Sequence, residues 1–146
     1  MHIYTIESGE FSLVAATAKT VLQLVLGATR RAKILEIGVS LESITSTDQP
    51  GLVELRKQST AGTSTSFTPN PVDAADPAAI QTALNTFTAE PTDVAAVFPP
   101  MRLTPVGGLL VYAWTVDLLP AVSTRVGLRL TFPQAQSGRA WLTYQE

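Results

Sequence analysis

Few side chains in this sequence are of the kinds that carry out covalent or metal chemistry. There is one histidine, His2, beside the first methionine, and there is no cysteine. A serine nucleophile needs a base held within hydrogen-bond reach, and a histidine so near the start of the chain is poorly placed for that. Zinc takes histidine and cysteine ligands in threes and fours, which this composition does not supply. Calcium wants clustered oxygens. The nearest set is Asp73, Asp76 and Asp93, spread over loop-like sequence without an EF-hand pattern. Glycoside hydrolysis needs two carboxylates across a cleft. Glu36, Glu42 and Glu54 fall on expected strands, where outward-facing charge is the ordinary alternative and also protects sheet edges. Gly107-Gly108 precedes a strand instead of opening a helix, so it reads as a turn and not as a phosphate loop. The expectation is a protein that is not an enzyme, with no catalytic residues, no cofactor and no bound metal.

Charge points away from nucleic acid. The 146 residues include 10 basic and 12 acidic side chains, a formal net charge of -2. Nucleic-acid binders neutralise phosphates with a basic face. The compact basic group here is Arg30, Arg31 and Lys33, which reads as a solvated turn, with an anion site as the alternative. Charged residues make up 15% of the chain, against roughly 25% in an average globular protein. Threonine, serine and alanine take their place, giving a surface that is cheap to desolvate. No run approaches the roughly 20 apolar residues of a membrane helix, and MHIYTIESGE makes a poor export signal because it lacks a basic start. Neither nucleic acid nor membrane is an expected partner.

The elements that position these side chains are mostly strands. Alternation of period two is clearest from Val122 to Phe132, where Val126, Leu128, Leu130 and Phe132 face one way and Arg125, Gly127, Arg129 and Thr131 the other. Leu35, Ile37, Val39 and Leu41 form a second dry row opposite Glu36, Ser40 and Glu42. Shorter strands are expected at Ile3 to Ile6, Leu52 to Lys57 and Arg139 to Tyr144. Thr20 to Leu26 and Leu109 to Leu118 are apolar on both faces. Such a strand lies inside a sandwich with its second face covered, or at a subunit contact. Gln58 to Pro77 reads as a loop. Asp76 as N-cap and Pro77 at the first helical position predict one short helix over AAIQTALN. About eight strands and one short helix make a single all-β domain over residues 1–146, a β-sandwich of jelly-roll-like type.

The residues best suited to partner contact are apolar. Phe67, Phe87 and Phe98 sit in or beside loops, and Phe98 leads into Pro99, Pro100 and Met101. A proline-stiffened loop loses little entropy on docking, although folding back over one end of the sandwich is the favoured alternative. Leu109 and Val111 lie on the doubly apolar strand. These five, Phe67, Phe98, Met101, Leu109 and Val111, are the candidate interaction residues.

Several segments together carry a resemblance: AATAKTVLQL, KILEIGVSLES, VELRKQSTAGTSTSFTP, FTAEPTD, the step from Pro105 to Leu109, and RVGLRLTFPQA. Over nearly its whole length the chain resembles a family of small, largely uncharacterised structural proteins of tailed bacteriophages. The most specific pieces are Glu54-Leu55-Arg56 with the following Thr60-Ala61-Gly62-Thr63, and Glu90-Pro91-Thr92. The resemblance supplies no active-site residues. It implies a virion component of the head decoration or cement type, binding the major capsid protein as a homotrimer and assembled in the host cytoplasm. Two other readings stand beside it. One is a carbohydrate- or receptor-binding module of a tail or fibre, with Trp114 or Trp141 as the stacking aromatic, although both fall in rows that look buried. The other is a β-sandwich enzyme resting on carboxylates alone.

Overall fold

The computed structural model describes residues 1–42, 49–106 and 108–146. Twelve strands follow one another along them: β1 (Ile3–Leu13), β2 (Lys19–Val25), β3 (Lys33–Glu42), β4 (Gly51–Gln58), β5 (Thr63–Phe67), β6 (Asn70–Pro71), β7 (Thr82–Ala89), β8 (Asp93–Ala96), β9 (Met101–Leu103), β10 (Leu109–Leu118), β11 (Arg125–Thr131) and β12 (Gln136–Gln145). They form two antiparallel sheets. One has the order β10-β3-β12-β1-β6; the other has the order β5-β7-β2-β11-β4-β8, with β9 pairing β4 beside β8.

The sheets stack as a sandwich because each presents one apolar row. Ile6, Ile37, Val39 and Leu142 face Leu22, Leu55, Leu128 and Leu130, all essentially buried. Most outward residues of the same strands are polar or small, Trp141 of β12 being an exception. The expected row on β3 is shifted at its start: Ile34 is buried and Leu35 only half-buried. A register irregularity between Thr143 and Tyr144 causes this, pairing Thr143 with Glu36 but Tyr144 with Ile34, so Leu35 is skipped.

Eight strands have seven residues or more. Taken alone, they assign to the two sheets as in a jelly roll. The first sheet runs sixth, third, eighth, first, which is the jelly-roll order. The second runs fifth, second, seventh, fourth. Its fifth strand, β7, sits beside β2, whereas a jelly roll would place it beside β4; the short strands β8 and β9 occupy that position instead.

The expected helix does not form, and no helix occurs among the described residues. Asp76 is drawn to His2, with Asp76 Oδ1 and His2 Nδ1 2.7 Å apart, and the Pro77 carbonyl accepts from the Tyr4 hydroxyl at 3.0 Å. Residues from Thr82 onward join β7, which pairs β2 on one side and β5 on the other. A two-turn helix closes few internal hydrogen bonds. The same residues in a strand fill two ladders and bury Ala83, Leu84 and Phe87. Phe87, expected beside a loop, is therefore core. The loop expected over Gln58 to Pro77 contains β5 and β6. The Thr/Ser-rich β5 shows no apolar alternation because it lies at a sheet edge.

Candidate functional site

The outer face of the seven-stranded sheet carries a lattice of polar side chains. Antiparallel register sets Arg129 opposite Glu54, Gly127 opposite Arg56, and Arg125 opposite Gln58. Arg129 Nε donates to Glu54 Oε2 at 3.0 Å, and its Nη1 lies 3.5 Å from Asp93 Oδ2. Arg56 grips Asp93 through Nε and Nη2, with Nε 2.9 Å from Oδ1. The Arg56 hydrogen bonds hold the Asp93 carboxyl below the ordinary carboxylate range, against the opposing effect of burial. The same bonds raise the Arg56 guanidinium. Two cations and two anions thus neutralise one another.

Beside this quartet lies an uncharged, buried set. Gln58 reaches across Gly127, where an added Cβ would stand 2.0 Å from Gln58 Oε1. Its Oε1 accepts from Gln23 Nε2 at 2.6 Å and its Nε2 donates to the Thr20 hydroxyl at 2.9 Å. Gln23 Nε2 also donates to the Thr60 carbonyl, and Glu90 accepts from the Thr20 amide. Gly62 allows the loop to close over the sheet: its φ is +59°, and an added Cβ would meet the Ala89 carbonyl oxygen at 2.2 Å. The Thr60–Thr63 loop and the Glu90-Pro91-Thr92 step therefore cover the second face of β2. That explains why β2 is dry on both sides without a partner chain. Glu54 and Arg56, the Thr60–Thr63 loop and the Glu90-Pro91-Thr92 step thus meet on one face. With Glu54, Arg56, Asp93 and Arg129 paired and the Gln23 and Gln58 amides bonded internally, the lattice acts as a clasp that fixes two loops.

The carboxylates considered for acid–base chemistry are kept apart. Glu54 belongs to this lattice, whereas Glu36 lies on the outer face of the other sheet, where it accepts from Trp141 Nε1 at 2.9 Å. Asp73 and Asp76 share one turn, where the Asp76 amide donates to the Asp73 carbonyl, but the three aspartate carboxylates have different partners: Asp73 accepts from the Ala75 amide, Asp76 holds His2, and Asp93 holds Arg56. No group of three metal-ligating side chains occurs among the described residues. Arg30, Arg31 and Lys33 line an open cleft with Met1 and Glu146, and Lys33 Nζ is bonded to Asp117 at 2.5 Å.

The five apolar candidates divide into two groups. Phe67, Phe98 and Met101 are half-buried against the core. Phe98 folds back: its ring centroid lies 5.3 Å from that of Trp114 in an edge-to-face contact and 5.4 Å from that of Tyr112. These three rings close the gap between the β10 edge of one sheet and the β8–β9 edge of the other. Leu109 and Val111 point the opposite way and stay 58% and 50% exposed, with Val116 further along β10 at 66%. The doubly apolar β10 is thus dry on one side only.

Trp141 was expected in a buried row and instead lies on the outer face of the five-stranded sheet, flat over Gly38 and half-buried. Gly38 pairs Val111 on one side and Trp141 on the other, so the indole and the Val111 side chain flank the same glycine. The sequence signal for the polar lattice was Gln23, a lone amide inside an apolar strand. Trp141 gave none, since only the register shows that a glycine lies beneath it.

The fold and these two outer faces define an all-β sandwich with one clasped polar face and one face that exposes Leu109 and Val111 at its β10 edge. No family model, curated protein or solved structure matches the chain.

Proposed function

We propose that the protein is a virion structural component of a tailed bacteriophage, a decoration or cement protein that docks on the major capsid protein as a homo-oligomer. The observation that carries this reading is β10, a ten-residue edge strand whose outward side chains Leu109 and Val111 are apolar and at least half exposed. Contiguous exposed apolar surface marks an assembly face. The interior supports the same reading: loops are tied to the sheet by internal polar contacts, which suits a rigid part. On a shell, many weak contacts repeated by symmetry sum to firm attachment. Co-sedimentation with purified phage heads tests the reading. The chain is expected to pellet with heads and to stay in solution without them; a chain that stays in solution with heads present contradicts it.

Trp141 favours a second reading, a carbohydrate- or receptor-binding module, because an indole on an outer face beside Glu36 is a stacking platform. Binding of glycans with a shift in Trp141 fluorescence, lost in Trp141→Ala, would favour this module over the shell component.

A further inference from the structure

Sheet edges expose unpaired backbone groups, and proteins blunt them with short strands, prolines or charge. Three of the four edges here are blunted. The five-stranded sheet ends at β6, two residues long with Pro71, and beyond it at the part of β1 that carries a register irregularity between Glu7 and Glu10. The seven-stranded sheet ends on one side at the Ser/Thr-rich β5 and on the other at β8 and β9, of four and three residues, with Pro99 and Pro100 between them. The fourth edge, β10, has ten residues and contains neither proline nor lysine.

The register shows which backbone groups of β10 have no partner among the described residues. Leu41 N donates to the Gly108 carbonyl at 2.6 Å, so Gly108 and Leu41 are a bonded pair. Bonded pairs alternate in antiparallel ladders, which makes Leu110 and Tyr112 the next bonded residues towards β3. The N–H and C=O groups of Leu109, Val111 and Ala113 therefore point to the open edge. The same residues carry the exposed outer side chains.

We propose that the β10 edges of two copies pair antiparallel about a two-fold axis at Val111. This rests on the assembly reading above and names the first partner of that face. With the axis there, Val111 meets Val111 of the second copy and Leu109 meets Ala113, so every free edge group from Leu109 to Ala113 gains a partner. The occupant is a second copy because the edge complements itself. Asp117 is the one charged residue of β10 and is already bonded to Lys33, so pairing sets no like charges opposite each other. Large meets small and β-branched meets β-branched. The pair takes the place of the trimer that the family resemblance implies.

Light scattering on the purified chain over a dilution series tests this. The expected mass is twice the 15.5 kDa of one chain at the concentrated end. Val111→Lys and Val111→Glu are each expected to halve that mass, and mixing the two is expected to restore it, since the substituted residues face each other. Amide exchange gives a second measure on the unaltered chain: Leu109, Val111 and Ala113 are expected to gain protection as concentration rises. A monomer at all concentrations, or a dimer or trimer that Val111→Lys leaves intact, overturns the proposal. Attachment to heads is read separately, so a monomer that still pellets with heads removes the pairing and leaves the functional reading standing.

Discussion

The indole of Trp141 rests on Gly38 of the neighbouring strand, so closely that a methyl group on Gly38 would stand 2.0 Å from the ring. The position admits glycine alone while the ring stays in place, and it is also what brings Trp141 Nε1 to Glu36. Gly38→Ala is therefore expected to lift the indole, break that hydrogen bond and cost about 1–3 kcal/mol, the usual range for overpacking. Chemical denaturation measures the loss. A red shift of tryptophan emission in the folded variant would report the displaced ring.

Gly127 plays the same part on the other outer face. Gly127→Ala is expected to push Gln58 aside and leave Gln23 and Thr20 short of partners, since all three meet through the Gln58 amide. A buried polar group without a partner costs about 1–3 kcal/mol. Amide exchange should quicken around Thr60 and Glu90, whose segments the lattice holds down.

Asp93 supplies an acid-side dependence. Its folded carboxyl sits below the ordinary value because Arg56 donates to it. A depressed carboxylate adds stability above the unfolded pKa of roughly 4, and loses that stability as pH falls through the folded value. Asp93→Asn is expected to cost about 1 kcal/mol at neutral pH, in the range of a partly exposed charged pair. The variant should also show a shallower loss of stability below about pH 4. Denaturation series across that window compare the two slopes.

Tyr4 and Tyr144 stack with centroids 5.5 Å apart, yet their hydroxyls differ. Tyr4 donates to the Pro77 carbonyl, whereas the buried Tyr144 hydroxyl has no partner among the described residues. Tyr4→Phe is expected to cost about 1 kcal/mol, and Tyr144→Phe to be neutral or slightly stabilising. Burial also raises the Tyr144 phenol. A raised folded pKa gives stability that is full below the unfolded value of roughly 10 and declines as pH rises beyond it. Tyr144→Phe should flatten that alkaline decline.

Much of the sandwich was legible in the sequence because its long strands alternate cleanly, as β11 does with Val126, Leu128 and Leu130 against Arg125 and Arg129. What failed was local. Asp76 and Pro77 carry a helix start signal, but a capping residue cannot hold two turns against ladders offered on both sides by β2 and β5. Strand β5 was hidden because Thr and Ser satisfy either face at an edge. The candidate surface was half legible. Apolar character on both faces marked β2 and β10 alike, and only topology separates them: the Thr60 loop covers one, and nothing described covers the other. Phe98 and Leu109 were equally apolar in sequence, yet one completes an aromatic cluster and the other faces outward.

The claim that this chain is a virion part is tested most directly by quantitative mass spectrometry of purified phage particles, measuring its copies against the major capsid protein. The account predicts a fixed ratio to the capsid protein, reproducible between preparations and retained after washing. Absence of the chain from intact particles would contradict it.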